Sequence, residues 1–101
     1  MSGTDDFAGF APPTFKPAEA LVLLKRQLRD LKPLTERGTR YEIKGRPVLE
    51  LGAGEQAIEA RVARKPAVAP EWTTSRLTSS LDVRRFVDEV KKRLQQWERE
   101  E

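Results

Sequence analysis

The stretch Arg40-Tyr41-Glu42-Ile43-Lys44-Gly45-Arg46-Pro47-Val48-Leu49-Glu50-Leu51 decides the fold of this chain. Tyr41 and Ile43 alternate with Arg40, Glu42 and Lys44, the period of a strand with one apolar and one polar face. Lys44-Gly45-Arg46-Pro47 supplies a turn. Beyond it Leu49 and Leu51 flank Glu50, so the alternation resumes and the chain doubles back. The pattern predicts an antiparallel hairpin with one face on a core and the other in water.

Downstream, Gly52-Ala53-Gly54 reads as a second turn, after which Ile58, Ala60 and Val62 alternate with Glu59 and Arg61 as a third strand. Lys65-Pro66-Ala67-Val68-Ala69-Pro70 interrupts the pattern. The threonine-rich residues 71–77 then suit a fourth strand at the sheet edge.

Helical patterns bracket this meander. Pro17 suits the first position of a helix, where its missing N–H is not needed. Leu21, Leu24, Leu28 and Leu31 then recur at three- and four-residue steps as one stripe running to Lys32, and Pro33 marks the exit. At the other end Ser79 and Asp82 have the spacing of a capping box, with Asp in place of the usual Glu. Behind it Val83, Phe86, Val87, Val90, Leu94 and Trp97 fall within an arc of roughly 100°. Two single-stripe helices and a half-apolar sheet predict an α+β two-layer sandwich. Its order is helix, three- or four-stranded antiparallel meander, helix, with both helices on one sheet face. The domain is expected over residues 17–97, after a flexible N-terminal arm (residues 1–16) and before a frayed end (98–101). There Glu98, Glu100 and Glu101 meet the negative end of the helix dipole.

The chain has 101 residues with neither histidine nor cysteine. Ser–His and Cys–His triads, thiol redox chemistry, disulfides and ordinary zinc sites are thereby excluded. Residues 73–80 are rich in hydroxyls but have no base beside them, and no Ser-x-x-Lys occurs. Gly52-Ala53-Gly54 is too short, and wrongly placed between strands, to cradle a phosphate. The expectation is a non-enzymatic protein without metal or cofactor. Nothing in the first residues reads as a signal peptide, and no apolar run approaches the roughly 18 residues of a membrane span. A cytoplasmic setting follows, with no membrane partner. Arginine outnumbers lysine and asparagine is absent, the composition of a high-GC bacterial coding sequence.

A formal net charge of +3 invites a nucleic-acid reading. The excess lies around the first helix and the middle of the chain, without forming a basic tail. The expected open sheet face interleaves Arg40, Lys44, Arg46 and Arg61 with Glu42, Glu50 and Glu59, which favours cross-strand ion pairs over a phosphate-binding patch. In the last helix Arg84–Asp88–Lys92 and Arg85–Glu89–Arg93 form four-residue ladders typical of a solvated face. The basic cluster best suited to a nucleic acid is Arg37, Arg40, Arg61, Arg64 and Lys65, with Tyr41 or Trp72 as a stacking platform.

Apolar residues without a place in the pattern point elsewhere. Phe7, Phe10 and Phe15 punctuate an arm of small residues and proline, a composition suited to docking in a groove or to strapping the first helix. Val22 and Leu23 lie off that helix's stripe, roughly 100° and 160° from Leu21. Something should cover them: the arm, a second copy or another protein. The preferred expectation is therefore an interaction module that binds a protein partner or itself as a homodimer. Its contacts would be Phe7, Phe10, Phe15, Val22 and Leu23, or an unpaired sheet edge. A low-specificity nucleic-acid-binding domain is the alternative.

Overall fold

The computed structural model describes residues 15–100. Helix α1 (Pro17–Arg29) is followed by β1 (Thr35–Arg37), β2 (Arg40–Ile43), β3 (Arg46–Ala53), β4 (Ile58–Ala63) and β5 (Trp72–Leu77), and helix α2 (Ser80–Glu100) closes the domain. The strands form one antiparallel sheet in sequence order. Helix α1 lies against β3 and β4, α2 lies against β5, and the helices touch each other. The two-layer α+β sandwich follows from the patterning.

The sheet has five strands rather than three or four. The Glu71-to-Leu77 stretch does form an edge strand, as β5. The additional strand, β1, is the three-residue Thr-Glu-Arg, which has no apolar residue and so no alternation to recognise. Two tight hairpins hold β1, β2 and β3 together. Lys44 and Gly45 both adopt positive φ, 53° and 80°, between the partners Ile43 and Arg46. That is the geometry of a primed turn, whose twist matches the strands it joins. Gly38, at φ 66°, performs the corresponding service between Arg37 and Arg40.

Two boundaries differ from expectation. Helix α1 stops at Arg29 rather than Lys32, and the N–H of Asp30 returns to the carbonyls of Gln27 and Leu28. A cis peptide bond joins Lys32 to Pro33. Strand β3 runs through Gly52 and Ala53, and the turn falls later, where the Gly54 N–H donates to the Ala57 carbonyl at 2.8 Å. Pairing with β4 outweighs the glycine here, because Gly52 stands in register opposite Glu59.

The core lies between sheet and helices. Leu24 and Leu28 of α1 are fully buried, and Leu21 and Leu31 partly so. All six residues of the α2 stripe are buried. From the sheet come Tyr41, Ile43, Leu49, Leu51, Ile58, Ala60, Val62 and Leu77. Val48 and Leu49 are consecutive yet both buried, which strict alternation forbids. A register shift between β2 and β3 explains this: Tyr41 opposes Leu49 and Glu42 opposes Pro47, leaving Val48 as a bulge.

Helix α2 begins with the anticipated cap, in a shifted form. Ser79 Oγ accepts the Asp82 N–H at 3.1 Å. The Asp82 carboxylate reaches back past Ser79 to the N–H and hydroxyl of Thr78, both at 3.0 Å. At the far end the Trp97 indole N–H donates to the Arg64 carbonyl at 3.4 Å.

Candidate functional site

Three surfaces carry residues that the core does not use: the outer side of α1, the helix-free sheet face, and the β5 edge.

On α1, Val22 and Leu23 are 58% and 54% exposed. One position along, Leu24 is fully buried, so a 100° step separates core from surface. Leu23, Ala20 and Gln27 face Ser80, Val83 and Arg84 of α2 across a shallow groove of about 200 Å³. Leu81, half-exposed, stands one turn before Arg84. The sequence reading missed Leu81, although its angular position opposite the α2 stripe marks it as outward. It also missed Val68, 83% exposed in the loop between β4 and β5. Phe15 is partly buried and packs against the core. Phe7 and Phe10 lie outside the described residues.

The helix-free sheet face is a continuous charged row. Directly opposed residues share a face, and the register sets Arg37 opposite Arg40, Arg40 opposite Glu50, Glu50 opposite Arg61, and Arg61 opposite Thr74. Glu50 joins its two neighbours, with Oε2 2.9 Å from Arg40 and Oε1 2.8 Å from Arg61. Arg37 pairs with Glu42 at 3.6 Å, and Arg76 with Glu59 at 3.1 Å. The Arg61 guanidinium also lies 5.2 Å from the centre of the Trp72 ring. The five cations named for nucleic acid are thus only partly assembled. Arg37, Arg40 and Arg61 share the row, while Arg64 and exposed Lys65 follow the end of β4, with Arg64 3.6 Å from Glu71. Lys44 sits in a turn and Arg46 stands opposite Ile43, on the side that faces the helices, so neither joins this face as expected; Arg76 joins it from β5, opposite Glu59. Tyr41 points into the core and offers no stacking surface.

The third surface is the edge of the sheet. Among the described residues β5 has a strand neighbour on one side only, β4. The Arg64 N–H donates to the Glu71 carbonyl at 2.9 Å, which sets the phase of the ladder. Hydrogen-bonded pairs alternate along an antiparallel ladder, so Thr73, Ser75 and Leu77 bond toward β4. Trp72, Thr74 and Arg76 aim their N–H and C=O groups off the edge. Beside it Ser75, Arg76 and Leu77 meet Asp82, Arg85, Phe86 and Glu89 of α2 around an open groove of about 350 Å³.

Among the described residues two ionisable groups are displaced from their ordinary ranges. Burial, reinforced by the Glu36 carboxylate, pushes the Tyr41 phenol upward. The hydrogen bonds from Thr78 hold the exposed Asp82 carboxyl below its usual value. Among the described residues no group of three or more acidic side chains is placed to hold a metal ion, and no helix is long and apolar enough to cross a membrane. No protein-family model, curated protein or solved structure matches the chain.

Proposed function

We propose that this chain is a cytoplasmic, non-enzymatic protein-interaction module whose principal contact surface is the outer side of α1. The observation that carries this reading is the exposure of Val22 and Leu23, the latter in a groove it lines with Ala20 and Val83, on a helix whose neighbouring Leu24 is fully buried. The domain does not need these side chains for its own core. Two adjacent large aliphatic residues in water gain free energy when a partner covers them, about 25 cal/mol per Å² of apolar surface.

The alternative, a low-specificity nucleic-acid binder, has one favourable observation: Arg61 and Trp72 lie together on the open face. Against it, Arg37, Arg40, Arg61 and Arg64 each have a carboxylate within 4 Å. A phosphate would have to displace those carboxylates, which gives back much of the electrostatic gain.

Affinity isolation with the wild-type chain and with Leu23→Asp, both shown folded by circular dichroism, tests the proposal. Proteins recovered on the wild type and lost on the variant are the expected result. Identical recoveries, with Val22→Asp behaving the same way, would remove α1 as the contact surface.

A further inference from the structure

We propose that two copies of this chain associate through their β5 edges, joining their sheets into one continuous sheet with the two α2 helices side by side and antiparallel. The inference uses the flank of α2 opposite the α1 groove, so it does not rest on the reading above and fails separately from it.

The β5 edge supplies the hydrogen-bonding groups. Trp72, Thr74 and Arg76 direct three N–H and three C=O groups outward from a strand that pairs with β4 without any register shift. Edges of this kind are usually blunted by a proline, a bulge, an inward charge or a very short strand. Here Pro70 precedes β5, the ladder is regular, and Arg76 turns across the sheet to Glu59. The edge is six residues long and pairable.

A two-fold axis perpendicular to the sheet pairs such an edge with its own copy in antiparallel fashion. Opposed residues must share a face, so the axis passes through a residue rather than between two. Centred on Ser75, it sets Thr74 opposite Arg76 of the second copy and Thr73 opposite Leu77. No like charges meet across the strands.

Charges along α2 favour the same association. Asp82, Arg85, Glu89 and Lys92 follow one another at steps of three, four and three residues, so they line one side of α2. Asp82, Arg85 and Glu89 line the groove beside β5, which places that side over the edge. Read along the helix the signs are minus, plus, minus, plus. Laid against itself antiparallel, the series matches Arg85 to Glu89 of the second copy and Asp82 to Lys92; Glu89 holds Arg93 of its own chain through Oε2 at 3.1 Å, and its Oε1 is the oxygen offered across the axis. Laid parallel, it would set like against like. The pattern is self-complementary in the one orientation that the strand pairing imposes.

The two centres also agree. The midpoint of the charge series is Val87. In the groove, Arg76 is the middle of the strand lining and Arg85–Phe86 the middle of the helix lining. One strand residue advances about 3.3 Å and one helical residue about 1.5 Å. Counted back along β5 and forward along the antiparallel α2, Ser75 falls roughly level with Val87–Asp88, so one axis serves both the strand pairing and the charge pairing.

Sedimentation of the full chain over a range of concentrations tests this. The expected result is a dimer that Thr74→Pro dissociates, because proline removes an N–H that faces off the edge and leaves the β4 ladder intact. Arg85→Glu and Glu89→Arg should each weaken the dimer about tenfold or more. Mixed in equal amounts, those two variants should recover it as a heterodimer, since one chain then carries two acids and the other two bases. Should Thr74→Pro fail to fold, the charge-reversal mixture still decides. A monomer at every concentration overturns the proposal, even if an unrelated extended peptide adds to β5. So does a dimer that survives both reversals, or one that is dissolved by Leu23→Asp instead.

Discussion

Tyr41 and Glu36 stand directly opposite each other on β2 and β1, and the Tyr41 hydroxyl donates to the Glu36 carboxylate at 3.3 Å. The same carboxylate lies 3.7 Å from Lys25 Nζ and 3.3 Å from Arg29 Nε on α1. This cluster ties the shortest strand to the last turns of α1 and so helps to fix which side of that helix meets water. Tyr41 is the only tyrosine in the chain, which makes the cluster directly measurable.

The Tyr41 phenol should resist ionisation for as long as the protein is folded. Its pKa is raised in the native state, first by burial and then by Glu36. The sign follows: the contribution of Tyr41 to stability is full below the unfolded-state pKa near 10 and declines as pH rises above it. Tyrosinate absorbance should therefore appear together with loss of the circular-dichroism signal. Ionisation near pH 10 in a folded chain would be incompatible with the buried hydroxyl. Tyr41→Phe should lower stability by about 1 kcal/mol in urea unfolding, the usual net worth of one such hydrogen bond.

Leu23 and Leu24 are neighbours with opposite burial, and truncation should separate them. Leu24→Ala is expected to cost about 2–5 kcal/mol by leaving a cavity in the core. Leu23→Ala should stay within about 0.5 kcal/mol of wild type. Equal losses in urea unfolding would mean that the outer side of α1 is covered within the monomer.

The cap of α2 gives the protein an acid-sensitive element. The Asp82 carboxyl is held low by its bonds from Thr78, so its stabilising effect is present above the unfolded-state pKa of about 3.9 and fades as pH falls through the lower native value. Asp82→Asn should therefore be less stable than wild type at neutral pH, with the gap closing in acid. Thermal unfolding of both proteins from pH 7 to pH 2.5 checks this. Ser79→Ala removes the other half of the cap and should cost about 1 kcal/mol at neutral pH, part of it lost in acid because the Ser79 side chain also helps to hold the Asp82 carboxyl low.

Fluorescence anisotropy with single- and double-stranded oligonucleotides bears on the charged sheet face. With its arginines paired, the chain should show no binding at low salt. Tight binding that falls steeply between about 50 and 200 mM salt would restore the nucleic-acid reading.

The sequence made the sandwich legible because most of its elements announce themselves by period. Tyr41 and Ile43, Leu49 and Leu51, and the stripe from Val83 to Trp97 each bury the side that their spacing implies. It concealed β1, whose three polar residues are held by the Gly38 turn and by Glu36 rather than by any burial of their own. It also concealed the bulge at Val48, since a register shift arises between two strands and belongs to neither. Val22 and Leu23 were readable as exposed from their angle on the helix. The groove beside them was not, because α2 supplies half of its lining. The pairing of Glu50 with both Arg40 and Arg61 was foreseeable in kind, from interleaved signs, but its partners depend on the register.

By the reading proposed above, this chain recognises a partner through the outer side of α1, at Val22 and Leu23, rather than through its cationic sheet face. Partner recovery on Leu23→Asp and on the double variant Arg40→Gln/Arg61→Gln, compared side by side, tests it most directly. Recovery should collapse on the first and persist on the second. Loss on the arginine variant with full retention on Leu23→Asp would contradict the claim.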